Sequence, residues 1–447
     1  MRAQGSAREV LPKPAYDRQF LEARSRLPGA GFGWLGLLRE EAIGRFCEIG
    51  FPSPGVEAWK FTNLGPLERV PFIGGSDLAQ PKLTPEELAH FRLTSDCHLA
   101  VFVNGRFRPE LSILDQLPEG TSIADLSTAG EEELRALAAP PAVFAEARAR
   151  TLFDLNTAFM RHGAVIRLGR GAVLDPVQLL YVAMPEDGLR VYHPRNLIHA
   201  EAGSSATVVE AYVGLGAEVY WTNVVTQVLV DPNAVLRHYK YQAESERAFH
   251  LAATSVRLDH EAAYRMFALT RGAALARNEL DIDLGATEAE ARLSGASLAR
   301  GEQHLDTTIR VEHAKPAGSS SQSFRSVVDG HARAVFQGRI RVAPDAQKTD
   351  AQQISRSLLL SAAASADTKP ELEILADDVK CSHGAAVGDL DREALFYLRA
   401  RGLSEAEARK ILIDAFVGEL IGAIENDAVR PYFRRAFEEW LHQGLPK

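Results

Sequence analysis

The strongest signal along the chain is a change of hydrophobic period. Between Gly33 and the break Gly50-Phe51-Pro52, the residues Trp34, Leu35, Leu37, Leu38, Ala42, Ile43 and Phe46 recur at helical spacing, which predicts an amphipathic helix. An acidic stretch then opens at Thr84-Pro85-Glu86-Glu87 and runs to Phe91. Threonine can cap that helix and proline can fill its first turn. Pro-rich connections such as Ala139-Pro140-Pro141 follow, so residues 1–150 read as a helical and loop-rich unit.

From about residue 164 to 360 the texture shifts to short β-branched runs alternating with period two. Examples are Ala164-Val165-Ile166-Arg167-Leu168, Ala206-Thr207-Val208-Val209-Glu210 and Gly338-Arg339-Ile340-Arg341-Val342. Some two hundred residues of β must close as a sandwich, a barrel or a solenoid. Tight hairpin signals are scarce, Asp329-Gly330 being the main one, whereas antiparallel folds need several. Turns such as Gly203-Ser204-Ser205 and Gly214-Leu215-Gly216 suit coils that bend and continue. A mainly β fold with a central solenoid over residues 151–388 is expected, although no exact repeat is visible.

Residues 389–447 return to helices. Asp391 can cap a helix carrying Leu395, Phe396 and Leu398 that stops at Gly402. Ser404-Glu405-Ala406-Glu407 is a capping box for a helix with a stripe of Ala408, Ile411, Leu412, Ala415, Phe416, Leu420 and Ile424. Pro431 opens a third, with Phe433, Phe437, Trp440 and Leu441 on one side. These stripes serve intramolecular packing or the docking of a partner.

Composition narrows the function. With 46% hydrophobic and 24% charged residues, the 447-residue chain reads as an ordinary globular protein. Fifty basic against 59 acidic residues, a net charge of -9, offer no footprint for a nucleic acid. No apolar window resembles a signal peptide or a membrane span, so a cytoplasmic protein without a membrane partner is expected. The three cysteines, Cys47, Cys97 and Cys381, are too few for a disulfide framework. They also cannot supply the four thiolates that commonly hold an iron–sulfur cluster, so any cluster chemistry must borrow ligands from elsewhere.

Candidate motifs are few. Gly31-Phe32-Gly33-Trp34-Leu35-Gly36 has dinucleotide-binding spacing but lacks the preceding strand and βαβ unit, which leaves a loop entering a helix. No Walker A sequence exists, so no nucleotide of its own is expected. Asp281 and Asp283 would share a strand face, and Asp377-Asp378 follows later. A solenoid enzyme that cleaves carbohydrate, as a lyase or hydrolase, would need such acids and is the alternative reading. The pairs His193 and His199, His238 and His250, and His304 and His313 are too far apart for a ligand set.

The exception is Val379-Lys380-Cys381-Ser382-His383-Gly384-Ala385. Leu372 and Ile374 are apolar in even register; beyond Ala376-Asp377-Asp378 the register is odd, with Val379, Cys381, Ala385 and Val387. Such a switch marks a turn between two strands. Cys381 and His383 then share one face, roughly 7 Å apart at the usual strand rise. Thiolate and imidazole can share a soft metal such as iron, and a buried cysteine beside a hydrogen-bonded histidine is the plain reading.

The text around them is more specific. Thr368-Lys369-Pro370-Glu371-Leu372-Glu373-Ile374, Ala376-Asp377-Asp378-Val379-Lys380-Cys381-Ser382-His383-Gly384-Ala385, Leu395-Phe396-Tyr397-Leu398 and Arg401-Gly402 resemble the SufB/SufD family. Gly50-Phe51-Pro52 and Glu57-Ala58-Trp59-Lys60-Phe61-Thr62-Asn63 look like its SufD branch. The resemblance implies a right-handed parallel β-helix between helical domains. It implies a non-catalytic scaffold that pairs with SufB, docks a SufC ATPase through its C-terminal helices, and receives sulfur from a cysteine desulfurase. It further implies that His383 and Cys381 contribute to a transient iron or iron–sulfur site shared with SufB. A reduced flavin in the complex and a homodimer when SufB is absent belong to the same expectations. SufB-like proteins carry a Glu after the matching His and a Cys in an upstream strand. Here Gly384 and, nearby, Ser355 and Ser357 stand instead, which favours the SufD branch.

Overall fold

The period-two runs of the middle region wind into a β-solenoid of about seven turns, with helices at both ends, in a computed structural model that describes residues 14–74, 82–138 and 148–443. Each turn gives one strand to each of two facing sheets. The first sheet includes Ser205–Gly214, Val235–Ala243, Ala263–Thr270, Glu290–Ala299, Ser319–Val328, Asp350–Leu359 and Lys380–Gly388. The second includes Tyr220–Val230, Phe249–Leu258, Leu275–Leu284, His304–His313, Arg333–Val342 and Ser365–Ile374. All of these pair in parallel, so both sheets are stacks of coils rather than hairpins. Asp329-Gly330, the main hairpin signal, instead turns the chain from one sheet into the other.

Register shows why no repeat is visible in the sequence. Ser205 is followed across the first sheet by Val235, Ala263, Glu290, Ser319, Asp350 and Lys380, so a coil takes 27 to 31 residues. Two residues before each of these strands except the last, the backbone is left-handed: at Gly203, Asn233, Glu261, Glu288, Ala317 and Lys348. Each of these N–H groups donates to a carbonyl in the next coil's corner, as Asn233 does to His260 and Glu288 to Pro316. One corner is thus built six times from five residue types.

Inward side chains from both sheets form one core, including Val208, Val224, Val228, Leu236, Val256, Leu280, Ile282, Ile309 and Ile340. The two ends of this core differ. At the start, His98–Val103 pairs in parallel with Val173–Ala183, and Ser122–Asp125 pairs antiparallel with Ala164–Leu168. Of these, His98–Val103 and Ser122–Asp125 lie in the stretch expected to be helical and loop-rich. Leu99-Ala100-Val101-Phe102-Val103 is apolar at every position because both its faces are buried, which leaves no alternation to read. Phe102 stacks on Tyr181 at 4.6 Å, and Tyr181 on Tyr212 at 4.7 Å. The helix Thr151–Phe159, with all nine residues buried, likewise has no exposed stripe to betray it.

Helices cover the outer faces. Glu405–Gly422 and Arg430–His442 lie on the first sheet, with Phe433 against Tyr239, Tyr241 and Phe267. The capping box of Ser404 and Glu407 forms as expected, and Asp391 caps the helix Arg392–Ala400. On the second sheet the N-terminal region buries Trp221 beneath Phe51 and Phe72, at 5.8 Å from each.

Candidate functional site

The solenoid stops at Lys380–Gly388 and Ser365–Ile374, the last strands of the two sheets. Each therefore pairs along one side only, and this end carries the exposed apolar residues Ile374, Leu375 and Val387. The turn foreseen at 376–378 separates the two strands, and the register switch puts Leu372, Val379 and Cys381 all against the interior core. Cys381 stands beside Ala351 in the sheet, and His383 beside Gln353. Both thus take the inward side of the last strand, with Cys381 partly covered and His383 exposed. Partial burial, with the negative charge of Asp350, pushes the Cys381 thiol above its ordinary range, against a backbone hydrogen bond at Ala351. A thiol held up in this way is a nucleophile or ligand only once a cation draws its proton off. Among the described residues, no group of three or more His, Cys, Asp or Glu side chains is placed to hold a metal ion.

The remaining candidates lie elsewhere. Ser355 and Ser357 are buried on Asp350–Leu359. Asp281 and Asp283 do share the outer face of Leu275–Leu284, beside Arg310 in one register and Arg257 and Glu312 in the next. Burial raises the Asp283 carboxyl, opposed by Arg257. Neighbouring rungs pair Arg341 with Glu312 and Arg339 with Glu373, which makes this face a charge ladder. Asp378 pairs with Lys348 across the corner. Burial drives His193, stacked on Phe159 at 5.3 Å, down to about 3, and His313, 2.8 Å from the Ser320 hydroxyl, down to about 4. His199 faces Asp231 at 3.2 Å, and His304 meets the Thr62 hydroxyl at 2.9 Å.

Two arrangements escape the sequence. Inside the early coils, Glu210 accepts from Tyr212 at 2.7 Å and meets His238 at 3.2 Å, His250 faces Glu244 at 2.6 Å, and Lys240 donates to Asn278 at 2.8 Å. Burial would raise the Glu210 carboxyl, but hydrogen bonding and charge from His238, with Lys240 and Tyr212, outweigh it and hold Glu210 at about 2. Burial lowers Lys240 to about 8 against the pull of Glu210 and Glu244. These residues sit at inward positions where alternation predicts apolar side chains.

The second is a strap. Glu57 pairs with Lys369, the Ala58 carbonyl accepts from Arg277 at 2.7 Å and Gln337 at 3.3 Å, and the Arg277 guanidinium lies 4.0 Å from the Trp59 ring. Thr62 donates to the fully buried Asp306, which also binds Arg277. Segment 57–62 thus crosses four successive strands of the second sheet, the last one leading into the turn before Cys381. The two motifs singled out in the sequence meet where Glu57 reaches Lys369.

Residues 182–416 match the SufBD core domain of the SUF system for FeS cluster assembly, and residues 13–179 match the SufBD protein N-terminal region. The chain belongs to the SufBD family. It is 31% identical over 419 residues to an iron–sulfur cluster assembly SufBD family protein of Synechocystis sp., spanning 91% of each chain. To the iron–sulfur cluster assembly protein SufD of Escherichia coli it is 31% identical over 393 residues, 88% of this chain and 89% of the other. A chloroplastic protein of Arabidopsis thaliana, ABCI7, is 38% identical over 248 residues, 55% of this chain and 52% of the other. This SufBD chain is thus a SufD homologue from an iron–sulfur cluster assembly family, and among its described residues no helix is long and apolar enough to cross a membrane.

Proposed function

We propose that this chain is a non-catalytic, cytoplasmic scaffold subunit of iron–sulfur cluster assembly, which pairs with SufB through the open end of its solenoid. His383, assisted by Cys381, contributes ligands to a transient iron or cluster that is cargo of the complex. The observation that carries this reading is the unpaired edge of Lys380–Gly388, with Cys381 and His383 directed alike and, among the described residues, no third ligand beside them. An exposed edge is a template for a strand from another chain, and a half-set of soft ligands on it is completed only by that chain. The SufC ATPase docks on the C-terminal helices. Arg392–Ala400 buries none of its residues, and Phe396 and Tyr397 are 75% and 58% exposed.

The test is His383→Ala in the complex reconstituted from this chain, SufB and SufC. Cluster formation should fall at least tenfold while the complex still assembles, and an unchanged yield would remove the role of His383. The lone subunit should hold little cluster.

A further inference from the structure

Directly behind His383 lies a ladder of amides. Gln322, Gln353 and His383 occupy the same register on three successive strands of the first sheet. Gln353 is 1% exposed and Gln322 2%, so both amides are inside the solenoid. The Gln353 Nε2 donates to Gln322 Oε1 at 2.9 Å. Room for that amide exists because residue 338, across the interior, is glycine: a Cβ there would stand 2.0 Å from Gln353 Nε2. The Gln353 Oε1, which would stand 3.0 Å from the same Cβ position, is buried and has no hydrogen-bond partner, and neither has the Gln322 Nε2. Nε2 is committed to Gln322, and the next residue beyond Gln353 in this register is His383, one strand spacing of about 4.8 Å away.

A buried acceptor without a donor is rare and asks for one. An imidazole that donates from one nitrogen has its tautomer fixed and presents the other nitrogen as a lone pair, which is how ligand histidines are commonly oriented. We infer that Gln353 is a positioning residue for His383: its Oε1 accepts the proton-bearing ring nitrogen and turns the other nitrogen toward the open end. This rests on the ligand role proposed for His383 only in what the freed nitrogen binds. The ladder itself stands on the register, the committed Nε2 and the unpartnered Oε1.

The test is nitrogen-15 spectroscopy of the intact chain labelled at histidine. His383 should show one tautomer in the wild type and a mixture in Gln353→Leu and in Gln353→Met, the second of which keeps the side-chain length and lacks the acceptor. Unchanged exchange protection across Asp350–Leu359 shows that the variants fold. Ferrous iron added to the intact chain should bind about tenfold more weakly in both variants. A mixed tautomer in the wild type, or a single tautomer that survives both substitutions, overturns the inference. If the tautomer is lost but iron binds equally to wild type, Gln353→Leu and His383→Ala, the ladder stands and the ligand role of His383 fails.

Discussion

The two ends of the solenoid solve the same physical problem in opposite ways. A stack of coils ends in two sheet edges and an exposed slice of core, and both invite pairing with another chain. At the start, the chain answers this itself: His98–Val103 and Ser122–Asp125 extend the sheets, and Phe102 continues the aromatic stack of Tyr181 and Tyr212. At the finish, among the described residues, no further strand pairs with either sheet. Lys380–Gly388 has polar or small residues at every position except Val387, and most of it is exposed. A strand that is neither covered nor made strongly apolar is suited to reversible pairing, whereas a closed end commits the chain to one neighbour only.

That contrast can be broken by measurement. The largest difference is expected from core truncation: Phe102→Ala should cost about 3–5 kcal/mol, and Val387→Ala less than about 0.5 kcal/mol, in urea unfolding of the isolated chain. Comparable costs would show that the open end is already covered in solution, by a second copy for instance. Acid should act next, and on the closed half. Glu210 titrates near 2 when folded and near 4.5 when unfolded, so its contribution is complete above pH 5 and is lost as the pH falls toward 2, by about 3 kcal/mol. Unfolding free energies of wild type and Glu210→Gln between pH 5 and 2 should therefore converge; parallel curves would refute the assignment. The smallest effect belongs to the corners. Glu288 is exposed and left-handed, and Glu288→Gly should leave stability unchanged or raise it by about 0.5 kcal/mol, since relief of the strained conformation offsets the entropy of glycine. A loss above 1 kcal/mol would mean that the Glu288 side chain holds the corner.

Much of this was legible in the chain, and the illegible parts share a cause. Period-two runs, helix caps at Ser404 and Asp391, and the register switch before Cys381 are local, and each formed as read. The corner repeat was not legible, because a left-handed residue flagged by glycine at 203 is occupied by Asn, Glu, Ala or Lys in the later coils. The interior ionic group was hidden for a related reason: Glu210 and His238 hold positions whose neighbours in alternation are Val208 and Leu236, and only long-range pairing shows that the charges satisfy one another. Gln352 and Gln353 are adjacent and chemically identical, and only burial tells the exposed one from the enclosed one.

The strap of Glu57 to Thr62 alters how this solenoid comes apart. In a linear stack each coil feels only its nearest neighbours, so unfolding begins at a free end and proceeds inward one unit at a time. The bonds to Arg277, Asp306, Gln337 and Lys369 tie four coils to a single segment, and that segment is anchored at Trp59 in the core of the N-terminal region. The firm bonds of the strap, to Arg277 and Asp306, hold the middle of the stack, whereas its reach to the final coil is a largely exposed ion pair. The coil that is open to a partner is therefore tethered only lightly to the rest of the molecule.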